Sequence, residues 1–135
     1  MLKMVALFRF KPGVSREEGM RYYETRHVPL ICELLPGFFL DYRRSYPEPG
    51  TMFFPAHMEG APPPPPPFDV MTELWMESRE TYKEMGAKMA DPELGSRVAE
   101  DEAQFLDRSS MVMFLVEERR TSTTDLTAGA KRTPS

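Results

Sequence analysis

Residues 2–18 read Leu2-Lys3-Met4-Val5-Ala6-Leu7-Phe8-Arg9-Phe10, then Lys11-Pro12-Gly13-Val14, then Ser15-Arg16-Glu17-Glu18. The first nine alternate as a strand. Leu2, Met4, Ala6, Phe8 and Phe10 lie on one side; Val5 and Leu7, flanked by Lys3 and Arg9, lie on the other. An apolar middle on both faces predicts cover on both faces. Pro12-Gly13 breaks the strand. Ser15 with Glu18 three residues on forms a capping box, and Glu17 and Glu18 suit the positive end of a helix.

Working outward, that helix is predicted from about Arg16 to Leu34, with an inward stripe of Met20, Tyr23, His27, Leu30/Ile31 and Leu34. Pro29 lies inside it and removes the hydrogen bond to the Thr25 carbonyl. A kink or broken turn is therefore expected just after His27. Pro36-Gly37 ends the helix, and Phe38 to Tyr46 alternates as a second strand. Residues 47–67 hold Pro47, Pro49, Gly50, Pro55, Gly60 and six consecutive prolines at 62–67, a stiff polyproline II stretch within a long loop. A third strand is predicted over 68–76. Helices follow from Ser78 to about Met89 and from Asp91-Pro92 to about Gln104, with Asp91 as N-cap and Pro92 at the first helical position. Met111 to Glu117 reads as a fourth strand. The order β-α-β-β-α-β is the ferredoxin-like pattern of the α+β class. Helices on one face of four strands leave an apolar second face, which predicts a two-fold dimer. The domain is expected to span 1–118, with the proline-rich segment at 47–67 as an insertion. Residues 119–135, small, polar and basic, are expected to be a disordered tail.

Composition narrows the function classes. The chain has 135 residues, a net charge of −4 and 41% apolar residues, enough for one domain with a real core. Four of its basic residues and one acidic residue fall in the tail, leaving the body strongly acidic. That argues against nucleic acid as a partner. No apolar run approaches a membrane span and no leader is visible, so a cytoplasmic protein is the expectation. One cysteine and two histidines exclude an internal disulfide, a multi-thiolate zinc site and a three-histidine metal site within one chain. No phosphate loop, dinucleotide fingerprint or serine elbow is present. Neither a metal nor an organic cofactor is expected.

The chemistry-bearing candidates are few. His27 sits on the apolar stripe, one turn from Tyr23 and beside the proline-disrupted turn. It is either a proton-transfer group or a core histidine satisfied by a carbonyl. Asp69 and Glu73 share a face of the third strand with Trp75. They would orient a histidine or carry a second proton, or else form ion pairs with Arg9, Arg43 or Arg44. Tyr22, Tyr23, Tyr42 and Tyr46 offer hydroxyls to a ligand or to the rim of the core. Cys32, five residues beyond His27, does not face it on a straight helix. His57, Phe53 and Phe54 in the proline-rich segment would form a lid, an arm across a dimer, or an incidental loop. The methionines suit an adaptable cavity or plain core filling.

The stretch Arg21-Tyr22-Tyr23-Glu24-Thr25-Arg26-His27-Val28-Pro29-Leu30 resembles the aromatic first helix, ending in His-x-Pro-Leu, of the EthD family. Phe68-Asp69-Val70-Met71-Thr72-Glu73-Leu74-Trp75-Met76-Glu77-Ser78 is similar to that family's third strand. Asp101 to Phe114, with Phe105, Asp107 and Ser110, resembles its closing segment. The resemblance covers roughly residues 3–118. It implies a ferredoxin-like subunit of a dimeric α/β barrel, with a cavity between helices and sheet into which His27 points. Relatives include cyclases, isomerases, dehydratases, decarboxylases and cofactor-independent monooxygenases. On that resemblance the expected function is acid–base chemistry on a hydrophobic, oxygenated cyclic or polyketide-like small molecule. His27 would be base or acid, Glu73 or Asp69 its helper, and Tyr23, Tyr42, Trp75 and Phe8 the lining. The alternatives are a non-catalytic binding protein of a degradative or biosynthetic pathway, and a haem site at His27. The proline-rich 47–67 segment departs from the family pattern, so the substrate does not carry over.

Overall fold

In the computed structural model, which describes residues 1–55, 60 and 62–129, four strands form one antiparallel sheet in the order β2-β3-β1-β4. The strands are β1 (Leu2–Phe10), β2 (Asp41–Ser45), β3 (Val70–Met76) and β4 (Leu106–Val116). Between β1 and β2 run α1 (Arg16–Tyr22), a π-helical turn (Tyr23–His27) and α2 (Val28–Leu34). Between β3 and β4 run α3 (Arg79–Met89) and α4 (Pro92–Phe105). This is the ferredoxin-like order, with all four main helices on one side of the sheet. His57 lies outside the described residues.

The core sits between that side of the sheet and the helices. Met4, Ala6, Phe8 and Phe10 of β1 and Val70, Thr72, Leu74 and Met76 of β3 turn toward the helices and are buried. They pack on Tyr23, Ile31, Leu35, Met85, Val98 and Phe105. The opposite alternation, Met71, Glu73 and Trp75 with Val112 and Phe114, forms the outer face. Val112 and Phe114 stand there 53% and 43% exposed. No described helix is long and apolar enough to cross a membrane.

Three expectations are corrected. The irregular turn lies before Pro29, at Tyr23–His27, not after His27. The Val28 N–H reaches back five residues to the Tyr23 carbonyl, so the widened turn accommodates the donor that Pro29 lacks without breaking the helix. The second strand is shorter than Phe38–Tyr46, because the chain turns at Gly37 (φ +78°) and pairing begins only when the Leu40 N–H meets the Trp75 carbonyl at 2.7 Å. The last strand starts earlier than Met111, directly at the end of α4. Within the tail, Thr123–Thr127 forms one helical turn, α5, capped by the Ser122 side chain on the Asp125 N–H.

Candidate active site

The inward face of the first helical segment is built on Tyr23 and His27, both buried (3% and 5% exposed). The π turn sets both rings against Phe105 of α4, at centroid distances of 5.3 and 5.2 Å. The imidazole is also edge-on to Tyr23 at 5.6 Å. Its Nδ1 lies 2.7 Å from Oδ2 of Asp101, and the other Asp101 oxygen accepts the Tyr22 hydroxyl at 2.7 Å. A carboxylate only accepts hydrogen bonds, so Nδ1 carries a proton, and in the neutral ring Nε2 keeps the free lone pair. Among the described residues Nε2 has no hydrogen-bond partner, and no buried side-chain nitrogen or oxygen lacks one. Nε2 is therefore not sealed off; it opens on the cavity that His27 lines.

That cavity, about 240 Å³, lies between the sheet and the helices. Its walls are mostly apolar: Met4, Phe8, Ile31, Leu74, Met85 and Val98 are among them. A cluster of hydroxyls shares this lining with His27. The Tyr23 hydroxyl bonds both the Tyr42 hydroxyl (2.9 Å) and Thr72 Oγ1 (2.5 Å). Three hydroxyl protons serve two internal bonds, so one remains for a ligand oxygen. Burial pushes the Tyr23 and Tyr42 phenols up, so both stay protonated donors. Glu102 also lines the cavity. Burial raises its carboxyl above the usual range, while the Arg108 guanidinium beside it pulls it back down.

The structure brings His27, Tyr23, Tyr42 and Phe8 together and keeps Glu73, Asp69 and Trp75 away. Glu73 stands on the outer face, paired with Lys3 at 2.5 Å. Trp75 stands beside it, with Lys3 and Arg43 over its ring at 4.7 and 4.9 Å and its N–H on Glu118. Asp69 accepts the Phe10 N–H at 2.7 Å, which ties the start of β3 to β1. The carboxylate at His27 is Asp101 instead. Its signal in the sequence was a carboxylate pair, Asp101-Glu102, set into the apolar stripe Val98–Phe105 of one helix. Tyr46 and Arg44 hold Glu24 rather than the cavity. Cys32 is exposed. None of the described residues of 47–67 lines the cavity. Among the described residues no three His, Cys, Asp or Glu side chains converge on a point that would hold a metal ion.

The comparisons agree with the fold. An EthD family protein of Bacillus halodurans is similar at a TM-score of 0.57 and 19% identity, over 88% of this chain and 99% of its own. An EthD-like protein of Ralstonia eutropha is similar at 0.57 and 21%, over 86% and 89%. A protein of Bacteroides fragilis described as dimeric, ferredoxin-like and of unknown function matches at 0.52 and 10%, over 87% and 95%. No curated protein matches the chain. The EthD domain family model matches residues 11–109, nearly three-quarters of the sequence, and the chain belongs to the EthD family.

Proposed function

We propose that this protein is an acid–base enzyme, a lyase or isomerase, acting on a small apolar cyclic molecule that carries a carbonyl or hydroxyl oxygen. The observation that carries the reading is the Asp101–His27 pair, whose free Nε2 opens on an apolar cavity of about 240 Å³. Ligand pockets commonly run about 300–1,000 Å³, so the cavity suits a single ring. His27 Nε2 takes a proton from the carbon next to a carbonyl. Asp101 stabilises the imidazolium that forms, and the hydroxyl cluster of Tyr23, Tyr42 and Thr72 donates to the developing oxyanion. The imidazolium then returns the proton to a leaving hydroxyl or to another carbon. Such catalysis contributes roughly 10²–10⁴-fold.

Cyclic ketones and lactones incubated with the protein in deuterium oxide test the first step. Loss of the α-proton signal in proton NMR, abolished in His27→Ala, is the expected result. An exchange rate equal in the two proteins removes the base role. The outer face, with Val112 and Phe114 exposed beside Leu7 and Met71, supports a homodimer formed through the sheets. Phe114→Lys should yield a monomer in sedimentation velocity, and a monomeric parent protein would sink the pairing.

A further inference from the structure

The cavity wall contains one cation and one carboxylate, Arg108 and Glu102. They touch only loosely: Arg108 Nε lies 3.4 Å from Glu102 Oε1. The Glu102 side chain is 14% exposed and that of Arg108 is 56% exposed. Among the described residues Arg108 has no ion-pair partner other than Glu102. A planar fork of donors thus stands half-exposed at the mouth of an apolar pocket, with Glu102 as its one ion-pair partner among the described residues.

Its placement is built into the backbone. β1 and β4 pair regularly from Lys3↔Val116 to Leu7↔Val112, and then resume at Arg9↔Asp107. β1 advances two residues there while β4 uses five. The surplus residues of β4 leave the ladder as a bulge, a device that re-aims side chains beside functional sites. Hydrogen bonds lock it. Ser110 Oγ donates to the Asp107 carbonyl at 2.6 Å and accepts the Arg9 N–H at 2.9 Å. The Asp107 carboxylate accepts the Ser109 N–H at 3.1 Å and its hydroxyl at 2.6 Å. Arg108 lies within this pinned loop, and Arg108 and Met111 both reach the cavity.

We infer that Arg108 is a recognition residue for an anionic oxygen on the ligand, so that the substrate class is a small ring acid: an apolar ring in the cavity with its carboxylate at the mouth. The inference rests on the cavity being the ligand site. A guanidinium suits a carboxylate because two parallel N–H groups meet two oxygens. Glu102 holds the fork at the mouth while the site is empty and releases it to a better-placed anion. The hydroxyl cluster and His27 then meet the ring's far end, where neutral oxygens or acidic carbons belong.

Benzoate and benzamide, which match in shape and differ in charge, separate the terms. Titration calorimetry is expected to show benzoate bound at least about tenfold tighter than benzamide, the scale of a charge-assisted pair. Arg108→Gln should erase the preference, and Arg108→Lys should keep part of it. Glu102→Gln should tighten benzoate severalfold, since a neutral amide neither repels the anion nor holds the guanidinium. Equal affinity for the two probes, or a preference that survives Arg108→Gln, overturns the assignment. In that event a His27 ring nitrogen resonance that still moves with both probes keeps the cavity reading intact. A resonance that moves with neither removes both.

Discussion

Asp101→Asn tests the structural basis of the candidate base. The carboxylate accepts two hydrogen bonds, from His27 Nδ1 and from the Tyr22 hydroxyl, both at 2.7 Å, and its side chain is 18% exposed. An asparagine has one oxygen for these two donors. If the amide nitrogen faces His27, Nδ1 becomes the acceptor, the ring proton moves to Nε2 and the lone pair leaves the cavity. If the amide turns over, Tyr22 loses its acceptor and His27 keeps only a neutral one. A hydrogen bond to a charged group is worth about 1.5–3 kcal/mol against about 1 for a neutral one. The reactive tautomer and the imidazolium therefore lose on the order of 1–2 kcal/mol of support. Combined with the misplaced proton, the exchange rate should fall by about 10²–10⁴-fold. Folding stability should fall by about 1–3 kcal/mol, since a buried partner is weakened but not deleted. Long-range proton–nitrogen NMR of the imidazole reads the tautomer without any substrate. The parent protein should show a pyrrole-type Nδ1 and a pyridine-type Nε2, and the variant a shift toward the reverse. A protonated Nε2 in the parent, or identical imidazole patterns in both proteins, would refute the reasoning.

Three further expectations follow from the packing. Hydrogen bonds from Arg44, then Tyr46, hold the Glu24 carboxyl below its ordinary value of 4.5. The native state thus binds this proton less tightly than the unfolded chain, and the stabilisation is present above 4.5 and lost as pH falls through the lower, folded value. Urea melts should show Glu24→Gln less stable at neutral pH, by within about 1 kcal/mol for so exposed a pair, with the gap closing in acid; a gap that widens in acid contradicts the sign. Tyr23→Phe strands the Tyr42 and Thr72 hydroxyls, so denaturant unfolding should show a loss of about 1–3 kcal/mol. Gly95→Ala brings a Cβ to 2.6 Å from the Met89 carbonyl oxygen, whereas Gly86→Ala meets nothing within 4 Å. Thermal melts should place the first about 1–3 kcal/mol below the parent and the second up to about 1 kcal/mol above it.

The strands were legible because their alternation is local. Val70, Thr72, Leu74 and Met76 on one side and Met71, Glu73 and Trp75 on the other could be separated by counting. Which set faces the helices could not, since Met71 and Trp75 are as apolar as their neighbours. A long-range contact decides it: Thr72 turns inward because Tyr23 supplies its hydrogen bond. The same limit hid Asp101. It meets His27 across 74 positions of sequence, and neither residue carries a local mark of the other. Pro29 announced an irregular turn through its missing donor. The side on which the helix widens depends on keeping both Tyr23 and His27 buried against Phe105, which is a matter of packing. The β4 bulge had a faint signal in Asp107-Arg108-Ser109-Ser110, a polar run of poor strand formers inside an apolar segment.

Trp75, the chain's one tryptophan, has a use that its place on the outer face makes possible. Its indole lies on the side of the sheet away from the cavity, among Lys3, Arg43 and Glu118. Its emission therefore registers what covers that face. A copy pressed against the sheet should shift the emission to shorter wavelength and shield it from a dissolved quencher. A small ligand entering beside His27 should leave it unchanged and be read instead through the tyrosines Tyr23 and Tyr42. The two fluorophore types thus divide the molecule between them, so association and ligand binding can be followed in one cuvette, each by its own light.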